Sequence, residues 1–357
     1  MPAPREVRFC TSADGTRIAY SVTGSGPAVV VVDAADSDAG LESPGPVAST
    51  CFPRLSRNFR CIGFEARGCG LSKCDPDAIT MESLLADIDA VADAVGAETF
   101  GILSASSACV SAIHYAASRP HRTERLLVFG GCARGRLLRA SSPEEHRTLA
   151  LNKEMLQVAL DVRGEYGVLL RTVFIRQSFP SADDTFCRAF DAAVMHRVSK
   201  AVLEAHSRLV HRADLQEVAR TVRCPTLVMH ARDDQHTPLS EAALLAGLIP
   251  GARFAPVDSR NHSPFPGDAC FEEVMSDICA FFGATSRAAV SAELTRRQRE
   301  VLSLVSQGRT DKEVARLLDL SPRTVEMHVA GALRVLGCST RAEAVHKATQ
   351  AGALGAP

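Results

Sequence analysis

The stretch that most constrains the fold is Thr310–Leu336, where two short helical patterns are separated by a two-residue break. Apolar residues of the first pattern recur at helical spacing, and Thr310 followed three residues later by Glu313 has the form of a capping box. Asp319-Leu320 interrupts the pattern, and Ser321-Pro322 then supplies a capping residue and a first helical position that tolerates proline. The sequence therefore predicts two helices joined by a tight turn.

The second of these helices is predicted to be amphipathic. Its apolar face would consist of Val325, Val329, Ala332, Leu333 and Leu336. Its mixed face would consist of Arg323, Thr324, Glu326, Met327, Ala330 and Arg334. A recognition helix needs one face that packs on its own domain and one face that is left for DNA. The alternative is a solvent-exposed helical hairpin that binds nothing, and the spacing alone leaves that alternative open.

Helical patterns on both sides extend this pair into a small domain. Thr295 and Gln298 have the form of another capping box, in front of a helix that should end near Gly308, and a fourth helix is predicted over 340–350. Four motifs follow one another here: LT-x-x-Q-x-E-V-L, G-x-T-x-K-E-V-A-x-x-L, L-S-x-x-T-V-x-x-H and L-G-C-x-x-R-x-E-A-V. Across Leu294–Ala348 the chain resembles the LuxR-type helix-turn-helix domain.

This resemblance implies a DNA-binding domain over residues 293–350, with an operator of two half-sites and a homodimer as the expected assembly. The expected DNA-contacting residues are Thr310, Lys312, Ser321, Arg323, Thr324, Glu326, Met327, His328, Ala330 and Arg334. Gly331 and Val335 stand where the family usually has Asn and Lys. Glycine inside a helix costs on the order of 1 kcal/mol relative to alanine, and the missing lysine removes a phosphate contact. We therefore expect modest DNA affinity, or affinity that depends on dimer formation.

The length and the charge distribution of the chain indicate a second domain, N-terminal to this one. A chain of 357 residues suggests two domains. From Glu293 onward there are ten Lys and Arg against seven Asp and Glu, whereas the preceding residues have 30 against 34. The first residues lack the apolar core of a signal peptide, and no apolar run has the length of a membrane span. Without an export signal we expect a cytoplasmic protein with reduced thiols, and twelve cysteines without a C-x-x-C pair favour no metal site. No cofactor is expected.

The larger domain is predicted to alternate strands with helices. A hairpin is expected over 7–24, and further strands at Ala28–Val32, Cys61–Phe64, Phe100–Leu103, Leu126–Phe129, Thr226–His230 and Arg253–Val257. This alternation indicates an α/β fold with a mainly parallel sheet covered on both faces. From about 135 to 211 only helical patterns occur, which predicts a helical lid inserted between two strands. We expect the domain to span 1–283 and a small, polar linker to span 284–292.

Three polar residues are predicted to meet at the carboxyl ends of these strands. Ser106 lies among small residues where a strand gives way to a helix, so its hydroxyl would project at the mouth of the sheet. Asp234 and His262 follow the last two predicted strands. In a triad, His262 would take the proton of Ser106, and Asp234 would orient the imidazole. Asp233 is the competing acid.

Residues 5–283 resemble the α/β-hydrolases, in which the triad follows the same chain order. Glu65–Ser72 is similar to the D-x-R-G-x-G-x-S turn of that superfamily, with Glu for Asp. Tyr115–Pro120 is similar to the end of the helix after the nucleophile, which assigns that role to Ser106 and not to Ser104 or Ser107. The spacing to Pro238 favours Asp234 as the acid.

The predicted oxyanion site departs from the superfamily. The N–H groups of Ala35 and Ser107 are the expected donors, but Asp33-Ala34-Ala35 occupies the place of the usual His-Gly. A carboxylate there would oppose a developing oxyanion and slow turnover. An apolar lid surface is expected from Leu156, Leu160, Val168, Leu169, Val173, Phe174 and Ile175, which favours a small hydrophobic ligand. The sequence thus indicates either a transcriptional regulator that senses and slowly hydrolyses such a molecule, or an ester or lactone hydrolase that its C-terminal domain localises or regulates.

Overall fold

The computed structural model describes residues 6–36, 40–41, 45–162, 164–283, 294–336, 338, 340–350 and 354. The chain divides into two compact units, Met1–Ile278 and Cys279–Pro357. The predicted linker, 284–292, lies outside the described residues, so the domain limits given above remain a prediction. None of the described helices is both long enough and apolar enough to cross a membrane.

An eight-stranded sheet forms the centre of the N-terminal unit. Its strands are β1 (Val7–Thr11), β2 (Arg17–Thr23), β3 (Ala28–Val32), β4 (Arg60–Phe64), β5 (Phe100–Ala105), β6 (Thr123–Phe129), β7 (Thr226–Ala231) and β8 (Arg253–Val257). They are arranged in the order β1-β2-β4-β3-β5-β6-β7-β8. The β1–β2 and β2–β4 pairs are antiparallel, and the remaining pairs are parallel. Strands β3 and β7 are buried on both faces, which explains their continuous apolar sequences. The predicted α/β class with a mainly parallel sheet is confirmed.

Eleven described α-helices accompany this sheet. They are α1 (Ala48–Leu55), α2 (Met81–Ala94), α3 (Cys109–Ser118), α4 (Arg136–Arg139), α5 (Pro143–Asp161), α6 (Gly164–Ser178), α7 (Asp184–Arg197), α8 (Lys200–His211), α9 (Gln216–Ala219), α10 (Leu239–Leu248) and α11 (Phe271–Phe281). Six of them, α4 to α9, lie between β6 and β7 in the chain. This helical insertion is the segment that the sequence assigned to a lid.

The turn after β4 is built around a fully buried arginine. The Arg67 guanidinium donates hydrogen bonds to both carboxylate oxygens of Asp87 on α2, at 2.6 and 2.8 Å, and to Asp14 between β1 and β2, at 2.6 Å. Gly70 has φ +50°, and a Cβ at this position would collide with the buried Glu65 carboxylate. The turn therefore requires glycine here, and Arg67 connects the hairpin to α2.

Four helices make up the described part of the C-terminal unit: α12 (Arg296–Ser306), α13 (Asp311–Leu318), α14 (Pro322–Leu336) and α15 (Arg341–Gln350). Both predicted capping boxes are present, at Thr295 and Thr310. The break between α13 and α14 is a left-handed residue, Asp319 (φ +53°), after which the Leu320 N–H donates to the Ala315 carbonyl at 2.8 Å. The buried residues are Leu294, Val301, Leu302, Val314, Ala315, Val325, Val329, Ala332, Leu336, Ala344 and Ala348.

Candidate active site and DNA-binding surface

Ser106 lies on the sharp turn between β5 and α3. It has φ +54°, and Asp319 is the one other non-glycine residue with a positive φ in the described ranges. A non-glycine residue in this region costs roughly 1–3 kcal/mol, and such strain is concentrated at functional sites. Ser104 and Ala108, two positions before and two after, are buried, so the strand and the helix approach closely. The turn directs the Ser106 hydroxyl out of the sheet.

The structure brings the three predicted triad residues together. His262 Nε2 lies 2.8 Å from Ser106 Oγ, and His262 Nδ1 lies 2.6 Å from Asp234 Oδ2. Burial raises the pKa of Asp234, but hydrogen bonds from His230, His262 and the His236 N–H outweigh it and hold that pKa well below its usual range. Asp234 is therefore an anion that accepts the His262 N–H. Asp233, the competing acid, is exposed.

Two further histidines contact this triad, and the sequence analysis missed both. His230 Nε2 lies 3.2 Å from Asp234 Oδ2 and 2.9 Å from the Thr237 carbonyl oxygen, so it is a second imidazole donor to the acid. The His236 ring centroid lies 4.4 Å from that of His262. Burial, followed by the charges of His262 and Arg136, lowers the pKa of His236 well below its usual value. The one sequence signal for these two histidines is their closeness in the chain to Asp234, which lies four residues after His230 and two residues before His236.

The residues expected at the oxyanion site lie beside Ser106. Ala35 and Ser107 line the same cavity as the Ser106 side chain. Asp33 is half-buried and lines that cavity too, and its Oδ1 accepts the Ala34 N–H at 3.3 Å. An acidic residue therefore lines the cavity in which negative charge would develop during attack on a carbonyl.

Two cavities meet at Ser106. The larger cavity, about 290 Å³, is bounded by α4, α5, α6 and α8, and Leu156, Leu160, Phe174 and Ile175 line it. Leu169 and Val173 were also expected there, but they are 63% and 59% exposed, so that prediction was wrong. The smaller cavity, about 140 Å³, is lined by Phe52, Leu55, Phe129, Phe179 and Met275. An ester carbonyl at Ser106 would have space on both sides.

The C-terminal unit exposes the predicted DNA-contacting residues. Thr310, Lys312, Ser321, Arg323, Glu326, Met327, Ala330 and Arg334 are exposed, and Thr324 and His328 are half-buried. The Ser321 hydroxyl accepts the Thr324 N–H at 3.1 Å, which caps α14 as predicted. A Cβ on Gly331 would lie 2.7 Å from Gln298 Nε2, so a larger residue there requires Gln298 to move. One face of α14 is buried and the opposite face is available for DNA.

Comparison with known proteins decides the family of this unit. Residues 292–348 match the family described as bacterial regulatory proteins, luxR family. The spore germination protein GerE of Bacillus subtilis is 41% identical over 61 residues, which cover 17% of this chain and 82% of GerE. The chain belongs to the luxR family of bacterial regulatory proteins. Its helix-turn-helix unit is thus a LuxR-type DNA-binding domain, as the sequence motifs predicted.

The N-terminal unit of this luxR-family chain is similar to hydrolases. A hydrolase from Pseudomonas aeruginosa superposes with a TM-score of 0.63 at 22% identity, over 78% of this chain and 99% of the other. Pyrrolizixenacetamide deacetylase of Xenorhabdus hominickii is 22% identical over 242 residues, which cover 67% of this chain and 85% of the deacetylase. The α/β-hydrolase fold of the N-terminal unit is confirmed.

Proposed function

We propose that this luxR-family chain is a transcriptional regulator whose α/β-hydrolase domain binds, and slowly hydrolyses, a small hydrophobic molecule. The observation that supports it is an assembled Ser106–His262–Asp234 arrangement, open to a largely apolar cavity, in a chain that also has a DNA-binding domain. Two copies would bind an operator of two half-sites. Such a regulator works in the compartment that holds the DNA, which in bacteria is the cytoplasm.

The geometry supports nucleophilic attack by Ser106. His262 Nε2 would accept the hydroxyl proton as Oγ bonds to the carbonyl carbon, and Asp234 would stabilise the resulting imidazolium. The N–H groups of Ala35 and Ser107 would donate to the oxyanion. His262 would then return the proton to the leaving oxygen, and water would release the acyl group by the reverse sequence. Asp33 opposes the oxyanion, so turnover should be slow relative to binding.

Sensing requires that an occupied cavity change DNA affinity. The native chain, fully labelled at Ser106 with an alkyl fluorophosphonate, should bind its operator with an affinity at least about 5-fold different from that of the unlabelled chain. The operator would be enriched by selection from random duplexes with the unlabelled protein, and binding would be followed by fluorescence anisotropy. Ser106→Ala treated with the same reagent is the control. Equal affinities of the labelled and unlabelled chains would contradict the sensor function.

DNA binding should depend on the exposed face of α14. Replacing Arg323 and Arg334 with alanine removes two exposed cations, so operator affinity should fall roughly 10- to 100-fold. The slope of log affinity against log salt should also become shallower, by about 0.9 for each phosphate that the variant no longer neutralises. Arg188→Ala, which removes an exposed cation from α7 of the other unit, should change neither quantity. Unchanged binding by the double variant would exclude this face as the DNA-binding surface.

The second candidate function is an ester or lactone hydrolase that the helix-turn-helix domain localises or regulates. The triad distances favour it, because a receptor that only binds has no need of an ordered Ser-His-Asp arrangement. The two functions predict different results for the labelling experiment. A hydrolase whose DNA-binding domain only localises it would turn over esters rapidly, and labelling of Ser106 would leave its operator affinity unchanged.

A further inference from the structure

The wall of the larger cavity contains two arginines that the proposed mechanism does not use. Arg136 and Arg139, on α4, both line the cavity. Arg136 Nη2 donates to His236 Nε2 at 3.1 Å, and Arg139 Nη1 is buried without a hydrogen-bond partner among the described residues. In the described part of the chain, neither guanidinium forms an ion pair. Both residues are half-buried, and a guanidinium that is partly removed from water without a counter-charge is costly, so the two call for an anionic partner.

Two neighbouring arginines, in contrast, are each paired with a carboxylate of the same unit. Arg134 is paired with Glu241 at 2.6 Å, and Arg171, which also lines the cavity, is paired with Asp191 at 2.6 Å. Both carboxylates are buried. The Arg171 guanidinium donates to both oxygens of Asp191, and the Arg134 guanidinium donates twice to Glu241 Oε1 while its backbone N–H donates to Oε2. Arg136 and Arg139 lack such a partner among the described residues, although they are adjacent to these pairs in the chain or in the cavity wall.

The charges around the two arginines leave this part of the cavity wall positive. Burial lowers the pKa of His211, another lining residue, to about 4, and Arg136, Arg139 and Lys153 act in the same direction. Two acids line the same cavity: Asp33, whose Oδ1 accepts the Ala34 N–H, and Asp36, which is exposed, so water screens its charge. The environment therefore favours a bound anion.

We propose that the ligand of the larger cavity has an apolar body near Ser106 and a terminal oxyanion, a carboxylate or a phosphate, that Arg136 and Arg139 bind. This inference rests on the proposed function, in which the cavity takes up a small molecule. Guanidinium groups suit both anions, because their N–H donors form a fork that matches two oxygens. The anion would supply the counter-charge that the described residues do not provide to these two guanidinium groups. The substrate class is thus an ester or lactone with an acidic end, and not a neutral lipid ester.

The test compares charged and neutral probes of equal length on the full chain with Ser106→Ala, which removes turnover. The charged probes are monomethyl esters of linear dicarboxylic acids of about six to ten carbons, a length that suits a pocket of this size. The neutral probes are the methyl esters of the matching monocarboxylic acids. Calorimetry should give about 10- to 100-fold tighter binding of the best charged probe, with a smaller difference at high salt. Phosphonate-terminated esters of the same length show which anion is preferred.

Arg139→Gln is the decisive variant, because Arg136 also supports His236. It should reduce the affinity for the charged probe to that for the neutral probe. The affinity for the neutral probe should stay the same, which would also show that the cavity is intact. The control is Arg188→Gln, which replaces an exposed arginine that pairs with Glu165. It should change the affinity of neither the charged nor the neutral probe. Equal affinities of the charged and neutral series, no binding of the charged series, or a charge preference that survives Arg139→Gln would overturn the proposal. Operator DNA is absent from this test, so failure of sensing and failure of this inference are separate outcomes.

Discussion

Ser106→Ala should abolish the covalent adduct that the native chain forms with a fluorophosphonate. The hydroxyl lies 2.8 Å from His262 Nε2, and the Asp234 carboxylate, whose side chain is buried, holds that imidazole with its lone pair toward the serine. Loss of the nucleophile of a formed triad lowers the rate by at least about 10³-fold. Intact-protein mass should therefore show one adduct on the native chain and none on the variant after equal exposure.

The control for this experiment is the neighbouring serine. Ser107→Ala removes a hydroxyl from the same cavity and keeps the backbone N–H expected at the oxyanion site, so it should retain the adduct. His262→Gln should react as slowly as Ser106→Ala, because the proton acceptor is removed. An adduct on Ser106→Ala, or its absence from a folded native chain, would show that Ser106 is not an activated nucleophile.

The elements that the sequence predicted well are those with a local signal. The hairpin of β1 and β2 was marked by a turn and alternation, the other strands were marked by short segments between helical patterns, and β3 and β8 have the limits that were predicted. Ser106, Asp234 and His262 follow separate strands, and parallel strands bring their carboxyl ends to one edge of the sheet. The helix-turn-helix pair was similarly local, since the capping residues and the break at Asp319 lie within one short segment.

The contacts that the sequence did not predict join distant segments. Arg136 lies against His236, one hundred positions later in the chain, and His206 on α8 lies 3.0 Å from the Arg67 carbonyl oxygen. No spacing rule connects such pairs, because they depend on how the helical insertion folds over the sheet. The sequence therefore did not predict the cationic part of the cavity wall, although it did predict the triad that faces the same cavity.

The lid helix α6 shows why the apolar lining was only partly predicted. Val168, Leu169 and Leu170 are consecutive, and Val173, Phe174 and Ile175 are consecutive too, so apolar residues surround the helix. Helical periodicity then cannot choose the buried side. The structure turns Phe174 and Ile175 to the cavity and leaves Leu169 and Val173 exposed.

Arg67→Gln should destabilise the N-terminal unit by roughly 3–5 kcal/mol, because it leaves the buried Asp87 carboxylate without its cation. The Arg67 pair with Asp14 is broken as well, and the hydrogen bonds to Asp14 hold the pKa of that carboxyl far below its usual range. Arg67 also accepts the His206 hydrogen bond through its carbonyl, so a loosened turn would release α8 from one wall of the cavity.

Tyrosine fluorescence isolates this unit during urea unfolding, since the chain has three tyrosines and no tryptophan, and all three, Tyr20, Tyr115 and Tyr166, lie before residue 279. Arg67→Lys keeps the charge but not the forked geometry, so it should lose less stability than Arg67→Gln. Arg188→Gln breaks an exposed ion pair and should cost less than about 1 kcal/mol. If Arg67→Gln costs no more than this surface control, the buried network does not stabilise the fold, and the link from the turn to the lid has to be sought elsewhere.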